Sequence, residues 1–256
     1  MKQGLLCVSF GTAVPAGQKD LVSLEAALRQ AAPALPFYRA YTSSNICARL
    51  ADQGRPVDSL PQALERMAAD GIRQVALQPT LLLPGREYQA LLDQAEPFRS
   101  RFDRLEIGRP LLWTETDIQT LADALCAVWP CLPGQKTVLM GHGSTGGNEA
   151  YIALQGALEG RDRRDLLVGT MRGEPGIDAL LTRLGQGENA RVLLAPLLLT
   201  GGGHTLREMA GETPVSWKNR LRAAGFEVEC SLRGLANRPP VQGLYQKRVT
   251  ELLSIL

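Results

Sequence analysis

The chain contains no run of about 18 consecutive apolar residues, which removes a membrane-spanning helix from consideration. The N-terminus passes directly into Gly4-Leu5-Leu6-Cys7-Val8 without the charged region, apolar core and cleavage site of a secretory leader, so none is expected. The five cysteines form no C-x-x-C pair, which argues against a structural zinc site and predicts reduced thiols in a cytoplasmic protein. Excess charge is lacking too. The 28 Lys and Arg face 26 Asp and Glu, for a formal net charge of +2. With no dense basic run, a nucleic-acid partner is not expected. No G-x-x-x-x-G-K-[ST] occurs, and no G-x-G-x-x-G follows the first strand-like run, so nucleotide binding loses its main support. Lysine is scarce, with five against 23 arginines, but composition alone names no ligand. Only two histidines occur, His142 and His204.

What is present is ordinary in bulk and informative in pattern. Apolar residues make up 45% and charged residues 21% of 256 positions, values typical of a globular protein with a substantial core. The chain repeats itself. Val75-Ala-Leu-Gln-Pro79 through Glu87 resembles Val192-Leu-Leu-Ala-Pro196 through His204 at a constant offset of 117 residues, with Pro79 on Pro196, Gly85 on Gly202 and Glu87 on His204. Leu6 through Thr12 parallels Val138 through Ser144, with Phe10 on His142.

Each half reads as alternating strands and helices. Strands are predicted over 4–10, 36–42, 74–82 and 104–109, and again over 136–142, 165–171, 190–199 and 226–231. Helices fall at Leu21–Ala31, Leu60–Asp70, Tyr88–Arg101 and Ile118–Val128 among others. Several strands are continuous apolar runs, the mark of parallel strands covered on both faces. The expected fold class is α/β, with two pseudo-symmetric halves, each a four-stranded parallel sheet flanked by helices. The join is placed near Pro130-Cys-Leu-Pro133, giving halves 1–130 and 131–256. The terminal helix is free to pack on either half.

In such folds ligands bind beyond the carboxyl ends of the strands. Both histidines are predicted there, on loops that the repeat makes equivalent. Two neutral imidazoles suit a borderline divalent ion, and Glu87 could add a carboxylate while leaving coordination positions open. Gly11-Thr12, Gly143–Gly147 and Gly201–Gly203 would let backbone amides approach an acidic group. A hydrolase built on His142 and Ser144 is a weaker alternative, because the segment is not G-x-S-x-G.

Val8-Ser9-Phe10-Gly11-Thr12, Met140-Gly141-His142-Gly143-Ser144 and Gly202-Gly203-His204 with Met209-Ala210 and Ser216-Trp217-Lys218 together resemble the anaerobic sirohydrochlorin cobaltochelatases of the CbiK type. Arg39–Ser43 and Gly85–Tyr88 are similar as well, so the resemblance runs the length of the chain. It implies a chelatase-like fold of two Rossmann-like halves, related to ferrochelatase. It implies insertion of Co(II) into sirohydrochlorin during cobalamin biosynthesis, with Ni(II) or Fe(II) as alternative ions, no organic cofactor, and a non-catalytic tetrapyrrole or metal carrier as the competing class. His142, His204 and Glu87 are the implied catalytic groups, and His142, His204 and Glu174 the metal ligands. Phe10, Gly11, Thr12, Leu83, Arg86, Tyr88, Arg172, Gly202 and Gly203 are assigned to the substrate. Sirohydrochlorin is the only partner named; the oligomeric state, a homo-oligomer included, is left open. One departure stands out. The family's acidic residue after the sixth strand aligns with Arg172 in Met171-Arg172-Gly173-Glu174-Pro175. Glu174 or Glu87 then replaces that acid, or the metal has fewer ligands and Arg172 grips a substrate carboxylate.

Overall fold

The computed structural model describes residues 2–185 and 190–256. The chain divides into two compact units: residues up to Trp113 together with Gln242–Leu256, and Thr114–Val241.

The first unit contains β1 (Gln3–Ser9), α1 (Pro15–Ala31), β2 (Phe37–Tyr41), α2 (Ser44–Asp52), α3 (Leu60–Ala69), β3 (Gln74–Pro79), α4 (Arg86–Ala95) and β4 (Arg104–Ile107). Its four strands are parallel in the order β2-β1-β3-β4. Both central strands are buried almost throughout, as their unbroken apolar runs require. Helix starts follow local chemistry. Pro15 opens α1, and Ser59 forms a capping box with Gln62 at α3. Leu6, Val8, Leu64, Met67, Val75, Leu77 and Leu91 belong to one core, while Leu21, Tyr41 and Leu50 form a smaller cluster.

The second unit runs through α5 (Glu115–Val128), β5 (Gln135–Gly143), α6 (Glu149–Glu159), β6 (Leu166–Arg172), α7 (Ile177–Leu184), β7 (Arg191–Pro196), α8 (Trp217–Ala223) and β8 (Glu227–Cys230). Its parallel order, β6-β5-β7-β8, repeats that of the first sheet. The registers match as well: Val8 pairs with Pro79 and Met140 with Pro196, the residues that the internal repeat superimposes. Its core gathers Val138, Met140, Leu180, Leu194, Met209, Trp217 and Leu221.

The structure differs from the sequence reading in the unit boundary and in one additional helix, and it decides where the terminal helix packs, a point the sequence left open. The unit boundary falls at Trp113/Thr114 rather than near Pro130, because α5 packs on α6. Arg161 binds Asp123 and Gln119 of α5 at 2.5 and 2.6 Å, and Arg163 binds the carbonyls of Cys126 and Trp129. The terminal helix, α9 (Pro239–Leu253), has its Gln242–Leu253 part in the first unit. There Tyr245 donates to the Leu81 carbonyl at 2.9 Å, Gln246 to that of Ala27, and Gln242 to Ser23. An additional helix, α2, follows β2. Its sequence signal is faint because its one fully buried side chain is Leu50.

All five cysteines are free thiols. Among the described residues no helix is long and apolar enough to cross a membrane.

Candidate metal-handling site

The two histidines meet in the second unit. β5 pairs with β7 in parallel, and the Leu197 N–H extends that pairing to the Met140 carbonyl at 2.8 Å. The carboxyl ends of the two strands therefore lie side by side. His142 occupies the end of β5. His204 begins the turn that follows the Leu197–Gly203 loop after β7. Their rings are 5.1 Å apart between centroids and inclined at 78°. Both side chains are partly exposed, as groups that receive a solute must be.

His142 is held from below and from the side. Its Nδ1 is 2.9 Å from the Gly143 carbonyl, which leaves Nε2 clear of that contact. Tyr151 is buried beneath Gly141; a Cβ at Gly141 would lie 2.4 Å from the Tyr151 ring, so only glycine admits it there. Burial pushes the Tyr151 phenol up in pKa, while hydrogen bonds from the backbone of Gly143 and His142 pull it down. Gly143 has φ +70°, and a Cβ there would meet the Arg172 carbonyl at 2.2 Å. This glycine allows the chain to leave β5 against the end of β6.

Asn148 fixes the loop that follows. Its side chain is buried and accepts from the Ser144 N–H at 2.8 Å. Its amide donates to Thr170 Oγ1, the Arg172 carbonyl and the Glu174 carbonyl at 3.1, 2.8 and 3.0 Å. One side chain thus ties the His142 loop to the Arg172–Glu174 loop. The Ser144 hydroxyl accepts from the Gly146 N–H. Among the described residues it makes no hydrogen bond to His142, so the serine-hydrolase alternative has no nucleophile–base pair.

His204 stands at the start of a single π turn, Thr205–Met209, closed by the Ala210 N–H on the Thr205 carbonyl at 3.0 Å. Such turns recur at functional sites. Its Nδ1 lies 3.4 Å from Glu208 Oε1. Four residues from a histidine on a helical turn is a spacing that sequence can display, but no helix signal surrounds Glu208 to give it meaning.

The remaining expected residues are distributed as follows. Arg172 is exposed at the end of β6, paired in register with Gly143. Gly202 and Gly203 lead into His204. Glu174 does not join the histidines. Its carboxylate accepts the Gly176 N–H at 2.9 Å, and among the described residues no three His, Cys, Asp or Glu stand together as a metal-holding group.

In the first unit, Phe10 is exposed beyond β1, followed by Gly11 at φ +95° and the buried Thr12. Leu83 is half-buried in the loop after β3. Arg86 is almost wholly exposed, and Glu87 sits in the first turn of α4, where the helix dipole favours a carboxylate. Tyr88 lies two residues into α4. It is buried, donates to the Gly108 carbonyl at 3.2 Å and packs edge-on against Trp113.

Two parallel strand ends bearing paired histidines direct attention to metal-handling α/β proteins. The family model for cobalt chelatase (CbiK) matches residues 3–254. The chain belongs to the cobalt chelatase (CbiK) family. It is 33% identical over 258 residues to the sirohydrochlorin cobaltochelatase of Salmonella typhimurium, covering all of this chain and 98% of that one. The sirohydrochlorin cobaltochelatase CbiKC of Nitratidesulfovibrio vulgaris is also 33% identical, over 259 residues, with 92% of its length covered. Among solved structures, SirB from Bacillus subtilis with Fe3+ aligns at a TM-score of 0.70 and 15% identity, covering 98% of this chain and 96% of that chain. That similarity establishes the chelatase fold of this CbiK-family protein.

Proposed function

We propose that this protein inserts Co(II) into sirohydrochlorin, with His142 and His204 receiving the ion. The observation that carries the reading is the meeting of the chain's only two histidines at neighbouring strand ends, in a member of the cobalt chelatase family. Insertion exchanges one divalent ion for the two N–H protons of the ring and involves no net redox change, so no organic cofactor is needed. The ion must first lose water. Imidazole nitrogens replace that water without binding so tightly that release to the ring is blocked. As the ring nitrogens take the metal, two protons leave, and a vacated imidazole is a suitable acceptor. Arg172 offers a charge-assisted contact to a ring carboxylate. Glu87 is retained as a candidate carboxylate of the first unit, and Phe10, Gly11, Thr12, Leu83 and Arg86 as candidate ring contacts. The unpaired thiols support a reducing, cytoplasmic setting.

The test is anaerobic absorbance spectroscopy with sirohydrochlorin and, separately, Co(II), Ni(II) and Fe(II). Conversion should be fastest with Co(II). His142→Ala and His204→Ala should each slow it by about 100-fold or more. A bound ring with no acceleration of insertion would instead indicate a carrier.

A further inference from the structure

The turn that carries His204 holds an unusual pair of polar atoms. His204 and Glu208 are 40% and 43% exposed as side chains. Yet His204 Nδ1 and Glu208 Oε2 are themselves buried, and neither has a hydrogen-bond partner. Exposure of the whole side chain and burial of single atoms agree once each group is seen to turn one edge to solvent and the other inward. The buried Nδ1 lies 3.4 Å from the other oxygen of the same carboxylate, Glu208 Oε1, without forming an aligned hydrogen bond. A buried carboxylate oxygen without a donor is costly. A small side-chain rotation would bring the Nδ1–H onto the carboxylate and relieve that cost at both groups, as a charge-assisted bond. Arg207 is no substitute: its Nε is 3.9 Å from Glu208 Oε1, and its side chain is 70% exposed.

We propose that Glu208 is a positioning residue for metal capture. It holds His204 through Nδ1, so that Nε2 presents its lone pair to the incoming ion. The proposal rests on the reading of His204 as a metal ligand. It gives the two histidines the same tautomer by different means: a backbone carbonyl for His142 and a carboxylate for His204. The role assigned to Glu208 is to hold the ring, through the Nδ1 edge that its carboxylate faces at 3.4 Å. An imidazole backed by a carboxylate has a fixed ring orientation, and loss of such a partner typically lowers metal affinity by about 10–100-fold.

The experiment uses the full chain. Calorimetry with Co(II) alone is set beside insertion kinetics, with KM for Co(II) and for sirohydrochlorin obtained separately. Glu208→Gln should weaken Co(II) binding and raise its KM by about tenfold or more. The KM for sirohydrochlorin and the melting temperature should stay at their wild-type values. Glu208→Asp should recover part of the loss. In a His204→Ala background, Glu208→Gln should add nothing. If His204→Ala is defective but Glu208→Gln binds Co(II) normally, or if the two effects add, the positioning role is refuted while the ligand reading survives. Normal Co(II) binding by His204→Ala would overturn the ligand reading and the proposal together. Should Glu208→Ala fail to fold, the near-isosteric Gln and the shorter Asp variants decide the matter.

Discussion

At the scale of single residues, the repeated halves carry different chemistry at matching positions. Where the second unit has His142 and His204, the first has Phe10 and Glu87. The same strand order and register serve twice, with different side chains at the strand ends. Charged residues away from these loops answer to burial. Glu25 of α1 is 5% exposed, its Oε1 lacks a partner, and Arg39 reaches Oε2 only at 3.4 Å. Burial pushes its carboxyl up in pKa, more than Arg39 pulls it down. The folded state therefore holds the proton more tightly than the unfolded chain. Stability falls as pH rises through the folded pKa, and ionised Glu25 is a liability at neutral pH. Glu25→Gln should thus raise the melting temperature near about pH 7. That gain should shrink as the pH is lowered into the range where native Glu25 is protonated. A melting temperature at neutral pH equal to or below wild type would contradict this assignment.

At the scale of elements, function depends on loops clamped to strand ends. Asn148 is the clearest case, since one buried side chain accepts from Ser144 and donates to Thr170, Arg172 and Glu174, joining two loops of the histidine site. Asn148→Ala strands those partners and should cost about 1–3 kcal/mol in stability. Because His142 lies on the same stretch of chain, Co(II) insertion should also fall by about tenfold or more. Thermal melts and steady-state rates measure the two effects, and a variant that loses stability but inserts cobalt normally would remove Asn148 from the site's support. This element was not legible in the sequence, for a physical reason. An asparagine after a glycine-rich turn is common, and its four partners, Ser144, Thr170, Arg172 and Glu174, converge only after β5 and β6 pair. Glu208 was hidden differently: its i+4 spacing from His204 is visible, but no helix was predicted there. The strands were legible because burial on both faces writes them as unbroken apolar runs. The predicted runs over 74–82 and 190–199 overshoot β3 and β7, which end at Pro79 and Pro196, since apolar residues continue into the loops. What sequence does not display at Glu174 is the local hydrogen bond that its carboxylate accepts from the Gly176 N–H.

At the scale of the whole molecule, the chain begins and ends in one unit, so the first unit is assembled from distant parts of the sequence. Periodicity identified the terminal helix but could not tell which half would receive it. What decides the matter is Tyr245, fully buried and hydrogen-bonded to Leu81 directly after β3. The loop after β3 carries Leu83, Arg86 and Glu87, so α9 supports one group of candidate ring contacts from beneath. Tyr245→Ala removes a large buried ring and one of the two hydrogen bonds on the Leu81 carbonyl, which keeps the one from the Leu111 N–H at 3.0 Å. By analogy with other buried aromatic truncations it should cost about 3–5 kcal/mol. The loss should be local. Amide hydrogen exchange should accelerate in β1, β3 and the Thr80–Glu87 loop, while β5 and β7, which carry the histidines, keep their protection. Co(II) binding by His142 and His204 should then persist in a variant whose KM for sirohydrochlorin rises. If protection is lost equally from both sheets, the units unfold as one, and α9 stabilises the whole chain rather than the first unit alone.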